Sequence, residues 1–161
     1  MHNFFHPGAF RIRGGGTTIP SMQARDSTDP IREGGPTAAE GLLLLVEDDF
    51  VLRSSLSELL SAEGFRVESC ADGREALRRL YRAPKPDLII LDIMMPYLDG
   101  FELRALQKQT PTISNIPVVV ISAHDLDPQS VADLGLSPPF RKPLDVERLL
   151  SRIRDLVAAE S

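Results

Sequence analysis

A run of four apolar residues, Leu88-Ile89-Ile90-Leu91, ends in the carboxylate of Asp92 and is fenced by Pro86 before it and Pro96 after it. Four residues are too few for a helix and suit a strand, and the flanking prolines stop any helical continuation. A strand apolar at every position is buried on both faces, which requires a parallel sheet covered by helices on both sides. Parallel neighbours need crossover connections, so the surrounding chain must alternate short apolar runs with amphipathic helices. Asp92 then sits where the strand ends, which is where open α/β sheets place their ligands.

From Gly41 onward the chain meets that demand. Leu42 to Val46 is a strand-like run ending in Glu47-Asp48-Asp49. Asp49 suits a helix N-cap, and Leu52, Leu56, Leu59 and Leu60 share one helical face until Gly64 closes the helix. Phe65 to Ser69 reads as a second strand, followed from about Gly73 by a helix burying Ala76, Leu77 and Leu80, which Pro84 and Pro86 stop. After the Leu88–Leu91 strand, Asp99 caps a helix carrying Leu103 and Leu106, and Pro117 introduces the β-branched run Val118 to Ile121. Pro128 starts a short helix through about Leu134, and a brief fifth strand is expected at Phe140-Arg141. The last helix, roughly Val146 to Ala159, carries the stripe Val146, Leu149, Leu150, Ile153, Leu156 and Val157. Five strands alternating with five helices predict a doubly wound α/β domain over residues 41–161. With one helix after the fifth strand, no appended output domain is expected.

Residues 1–40 differ. They hold six Gly and four Pro, balance four Arg against four acids, and show no helix or strand period. Such a segment does not offset the entropy of ordering its backbone and is expected to be a disordered tail. Phe4, Phe5 and Phe10 are a candidate short docking motif, and Met22 is an alternative start to Met1.

The net charge of −5 and the pI near 5.2 disfavour direct nucleic-acid binding. No apolar run reaches the length of a membrane span, and the first 30 residues lack the apolar core of a secretory signal. Cys70, the single cysteine, rules out an internal disulfide and fits a reducing cytoplasm; it is expected to be a small buried residue at the end of the second strand.

Loops after the first and third strands of such a sheet meet at a topological switch point, bringing Glu47 and Asp48 close to Asp92. Three carboxylates in one pocket raise each other's pKa unless a cation neutralises them. An all-oxygen, partly open pocket suits Mg²⁺, and without His or Cys it does not suit zinc or copper. A carboxylate beside Mg²⁺ can attack a phosphoryl group and form an aspartyl phosphate. Ser122 and Lys142 follow the fourth and fifth strands on the same sheet edge; Ala123 leaves room for a donor, and the Lys142 ammonium can neutralise a phosphoryl oxygen.

On Leu44-Leu45-Val46-Glu47-Asp48-Asp49, Leu91-Asp92 through Asp99-Gly100, Ile121-Ser122-Ala123 and Lys142-Pro143, the chain resembles the receiver domain of bacterial two-component response regulators over about Gly41 to Glu160. The resemblance implies the flavodoxin-like receiver fold with strand order 2-1-3-4-5. It implies that Glu47, Asp48, Asp92 and the Met94 main-chain carbonyl hold Mg²⁺. It also implies that Asp92 takes a phosphoryl group from a histidine kinase or a histidine phosphotransfer protein and later loses it by hydrolysis. Ser122 would move to hydrogen-bond that group, Lys142 would pair with it, and the Lys142–Pro143 peptide is expected to be cis. Such a protein is a phosphoacceptor rather than an enzyme acting on other molecules, and signals to a downstream protein as a monomer or weak dimer.

The chain departs from the resemblance between Ser122 and Lys142, where it is about two residues short, so the fourth helix is expected to be short. The aromatic residue expected three positions before the Lys is replaced by Pro139, and Phe140, one residue later, should face the other side of the sheet. Pro138 and Pro139 are tolerable on an edge strand. Two other functions stay open: a receiver-fold interaction module working without phosphorylation, and a phosphatase or phosphotransferase for small molecules. The latter would want a second acid two residues after Asp92, where Met94 stands. His124 is either a solvated loop residue or an influence on phosphate lifetime. Arg148, Arg152 and Arg154 read as the solvated face of the last helix or as a partner surface.

Overall fold

The structure is a computed structural model and describes residues 41–159. The expectations for residues 1–40, including the Phe4-Phe5-Phe10 motif and the choice between Met1 and Met22, lie outside the described residues.

Ten elements alternate: β1 (Leu42–Val46), α1 (Phe50–Ala62), β2 (Arg66–Cys70), α2 (Gly73–Leu80), β3 (Leu88–Asp92), α3 (Gly100–Gln109), β4 (Val118–Ser122), α4 (Pro128–Asp133), β5 (Phe140–Arg141) and α5 (Val146–Ala159). The strands form one sheet in the order β2-β1-β3-β4-β5, parallel throughout, with Leu45 beside Ile90 and Asp92 beside Ile121 in the register. This is the doubly wound architecture that the alternating pattern predicts.

The strand period divides the core in two. Leu44, Val46, Ile89, Leu91 and Val120 point to one face, where Ala76 and Leu80 of α2, Leu103 of α3 and Val131 of α4 meet them. Leu43, Leu45, Leu88, Ile90 and Ile121 point to the other, against Leu56 and Leu60 of α1 and Leu149 and Ile153 of α5. β1 and β3 are buried at every position, and each Leu or Ile so enclosed contributes roughly 1.5–3 kcal/mol of burial. That fixed central pair carries the acidic loops.

Each helix opens on an aspartate. Asp49, Asp72, Asp99 and Asp127 cap α1 to α4, Asp99 in a reciprocal capping box with Glu102, and Asp145 accepts from Arg148 N at the start of α5. Gly64 follows α1 with φ 100, the left-handed conformation that ends a helix.

Three boundaries and one side chain correct the sequence reading. β2 starts at Arg66 and runs through Cys70, because only some of its residues are buried and the apolar pattern is weak. β3 and β4 each include one more residue, Asp92 and Ser122. On α3, Leu106 is exposed and Gln107 is buried in its place. The buried stripe runs Gly100, Leu103, Gln107, and Gln107 is tolerated inside because its amide donates to Ile113 O and Ile116 O, both at 2.9 Å. Among the described residues no helix is long and apolar enough to cross a membrane.

Candidate functional site

The carboxyl ends of β1, β3, β4 and β5 bring the predicted residues to one edge of the sheet. Glu47 is the first residue past β1, Asp92 the last of β3, Ser122 the last of β4, and Lys142 the first past β5. Oxygens of Glu47, Asp48 and Asp92 lie within 4.8 Å of one another, and among the described residues no other three His, Cys, Asp or Glu side chains come together in this way. Glu47 and Asp92 are buried, whereas Asp48 is exposed.

Lys142 bridges the two buried acids. Its Nζ lies 2.7 Å from Glu47 Oε2 and 3.1 Å from Asp92 Oδ2. The second contact is a hydrogen bond, but no N–H points at the buried Glu47 Oε2 with hydrogen-bond geometry. Burial raises the pKa of Glu47 and the charge of Asp92 raises it further, against the opposing pull of Lys142. Burial works against the Lys142 charge, yet the Glu47 and Asp92 carboxylates outweigh it and hold the ammonium above its ordinary pKa. Two buried carboxylates thus share one cation, with the exposed Asp48 beside them.

Main-chain anchors hold the acidic loops still. Glu47 N donates to Cys70 O (3.1 Å), Asp49 N to Glu47 Oε1 (3.2 Å), and Met94 N to Asp92 Oδ1 (3.2 Å). Gly100 lets α3 begin directly against the end of β3: a Cβ there would stand 2.5 Å from Asp92 O and 2.7 Å from Ile93 Cα. Met94 itself is exposed. Tyr97 adopts φ 72, a left-handed turn position that usually takes Gly, and the Arg74 guanidinium lies 5.0 Å from its ring centroid.

Sequence reasoning missed Arg53, whose guanidinium donates to Glu47 O (2.7 Å) and Asp48 O (3.1 Å) and so clamps the acidic loop from one turn inside α1. No spacing in the sequence marks a side chain whose partners are main-chain carbonyls.

Ser122 joins the same edge, but its hydroxyl donates to His124 O (3.0 Å) and accepts from His124 N (3.1 Å), so it is engaged by its own loop. The His124 side chain is exposed. Lys142 N donates to Ser122 O at 2.9 Å, which ties the fifth strand to the fourth, and the Lys142–Pro143 peptide is cis. Phe140 packs with the α1 and α5 side of the core, 5.5 Å below the Arg148 guanidinium, while Pro139 lines a separate apolar groove with Val131 and Leu136 of the α4 region. The ring does face away from the side where Pro139 sits. On α5, Arg152 donates weakly to Ser137 Oγ (3.4 Å) and Arg154 pairs with Glu63 (2.8 Å).

The residues present fit Mg²⁺. The donor set is all oxygen, the pocket is open at Asp48, and a buried carboxylate oxygen stands without a directed donor. An aspartate among them has the nucleophilic oxygen that phosphoryl acceptance needs.

Comparison with known proteins gives one consistent result. The family model described as the response regulator receiver domain matches residues 43–154. Response regulator MprA of Mycolicibacterium vanbaalenii is 40% identical over 117 residues, covering 71% of this chain and 49% of that protein. The probable transcriptional regulator ycf29 of Pyropia yezoensis is 39% identical over 120 residues, covering 73% and 54%. The chain therefore spans about half the length of the curated relatives it matches. Among solved structures, chemotaxis protein CheY4 of Vibrio cholerae superimposes with a TM-score of 0.65 at 30% identity, covering 71% of this chain and 97% of that one. The signal receiver domain of a histidine kinase from Syntrophus aciditrophicus does so with a TM-score of 0.66 at 33% identity, covering 74% and 91%.

Proposed function

The chain belongs to the response regulator receiver domain family, and from that premise we propose that it accepts a phosphoryl group on Asp92 in two-component signal transduction. The donor is a phosphohistidine of a histidine kinase or of a histidine phosphotransfer protein, and the phosphorylated domain changes its contacts with a downstream protein. The observation that carries this reading is the buried carboxylate pair, Glu47 and Asp92, joined by Lys142 at 2.7 and 3.1 Å beside the exposed Asp48.

In this reading Glu47, Asp48, Asp92 and the Met94 carbonyl hold Mg²⁺, which when bound supplies positive charge for the oxygens of the transferring group. An Asp92 carboxylate oxygen forms a bond to phosphorus as the donor's phosphorus–nitrogen bond breaks, leaving the imidazole nitrogen with the bonding pair. Lys142 already lies on Asp92 Oδ2 and needs only to follow the new charge outward. Ser122 would exchange its His124 contacts for a phosphoryl oxygen. Hydrolysis of the aspartyl phosphate resets the carboxylate. We place this chemistry in the cytoplasm, where a lone buried Cys70 is at home.

The test is intact-mass measurement after incubation with Mg²⁺ and a small-molecule phosphodonor. Wild type gains the mass of one phosphoryl group and Asp92→Asn gains none. A wild-type protein that stays unmodified would overturn the proposal.

A further inference from the structure

The edge strand β2 and helix α2 enclose a groove of about 250 Å³ that shares no residue with the acidic pocket. Its helical wall is the stripe Glu75, Arg78 and Arg79, continued past the end of α2 by Arg82, a spacing that keeps all four side chains on one face. Both acids lining the groove are engaged. Glu68 pairs with Arg79, and Glu75 Oε2 accepts from Ala71 N at 2.8 Å. Arg79 donates further to Pro84 O at 2.9 Å. Arg78 and Arg82 are exposed, and among the described residues their guanidinium groups make no hydrogen bond or ion pair. Residues 66–85 carry six basic and three acidic side chains in a chain whose net charge is −5, so the excess of positive charge is local.

Among the described residues the opposite wall is an unpaired sheet edge. Arg66 N donates to Gly41 O and Cys70 O accepts from Glu47 N, so by the alternation of a parallel ladder Arg66, Glu68 and Cys70 bond towards β1. Val67 and Ser69, of which Ser69 lines the groove, turn their N–H and C=O groups away from β1. Unpaired main chain on an edge strand is a template for another strand.

We propose that this groove docks an extended acidic segment of a partner protein, which adds to β2 as a further strand while its carboxylates meet Arg78 and Arg82. Two independent features select that occupant. The outward main-chain groups of Val67 and Ser69 require a peptide backbone, which a nucleic acid lacks. The uncompensated guanidinium forks suit carboxylates, with side chains alternating along the added strand so that one row faces α2.

NMR titration of the full chain tests this with four probes: a short peptide alternating Glu and Thr, its Lys and Thr counterpart, the acidic peptide with N-methylated main chain, and a single-stranded oligonucleotide. The acidic peptide should shift the amide resonances of Val67 and Ser69, and the Lys and N-methylated peptides should not. The double variant Arg78→Glu, Arg82→Glu, which changes only exposed side chains, should weaken the acidic peptide by about tenfold or more. Absence of shifts at Val67 and Ser69 would overturn the proposal. So would equal binding of the N-methylated peptide or of the oligonucleotide, which would mark diffuse charge attraction alone. The N-methyl comparison uses the unaltered protein, so it does not depend on how the double variant folds.

Discussion

The pocket at the carboxyl end of the sheet and the groove beside β2 both collect charge, in opposite ways. In the pocket, like charges are crowded into a buried site around one cation, with Glu47 and Asp92 almost fully enclosed. In the groove, opposite charges pair off at the surface and leave two arginines over. Buried like charges are held in place only by a rigid frame, whereas exposed charges need no more than a helix face. The frame under the pocket is β1 and β3, buried at every residue; the frame under the groove is β2, with one fully buried residue, Cys70. Packing and electrostatics therefore vary together across the sheet.

The largest expected effect separates those two frames. Ile90→Ala on β3 should cost about 2–5 kcal/mol of unfolding free energy, since a fully enclosed side chain leaves a cavity. Val67→Ala on β2 should cost well under half of that, because the residue is half-buried at an edge. Denaturant unfolding of both variants measures the contrast, and equal losses would break it.

Next in size is the response to Mg²⁺. If the crowded carboxylates are a cation site, Mg²⁺ at about ten times its dissociation constant should stabilise the folded state by about 1.4 kcal/mol. Asp92→Asn should lose most of this gain, and Arg78→Glu with Arg82→Glu should keep all of it. Thermal unfolding across millimolar Mg²⁺ reads the difference. A wild-type melting temperature that does not move with Mg²⁺ would remove the metal from the pocket.

The same contrast governs what could be read from residues alone. β3 is legible because burial on both faces leaves an unbroken apolar run, and Glu47, Asp48, Asp92, Ser122 and Lys142 stand out as candidates because each lies at or just past a strand end. β2 slipped by one residue because an edge strand needs few apolar positions. Leu106 reads as part of the apolar stripe with Leu103, yet it is exposed and Gln107 is buried, because an amide satisfied by Ile113 O and Ile116 O can replace an apolar side chain in the core. Arg53 and the groove were missed for a related reason. Their partners are main-chain carbonyls, sheet-edge amides and charge balance in three dimensions, none of which leaves a mark at a fixed spacing. The Ser122 loop contacts with His124 belong to the same class.

The smallest effect sharpens the groove side. The hydrogen bond from Arg79 holds the pKa of Glu68 below its ordinary value, and burial opposes this only in part. A carboxyl depressed by folding adds stability above its unfolded pKa and loses it as the pH falls through the folded value. Glu68 is 40% exposed as a side chain, so solvent screening keeps the contribution under about 1 kcal/mol. Glu68→Gln should therefore be slightly less stable than wild type at neutral pH, and the two should converge once the medium is acid enough to protonate the folded-state carboxyl. Because Glu68 is open to solvent, high salt should shrink the neutral-pH difference as well. A gap that persisted in acid would mean that Glu68 acts on β2 by shape rather than by charge. Arg79 would then not be the counter-charge that leaves Arg78 and Arg82 as the uncompensated pair.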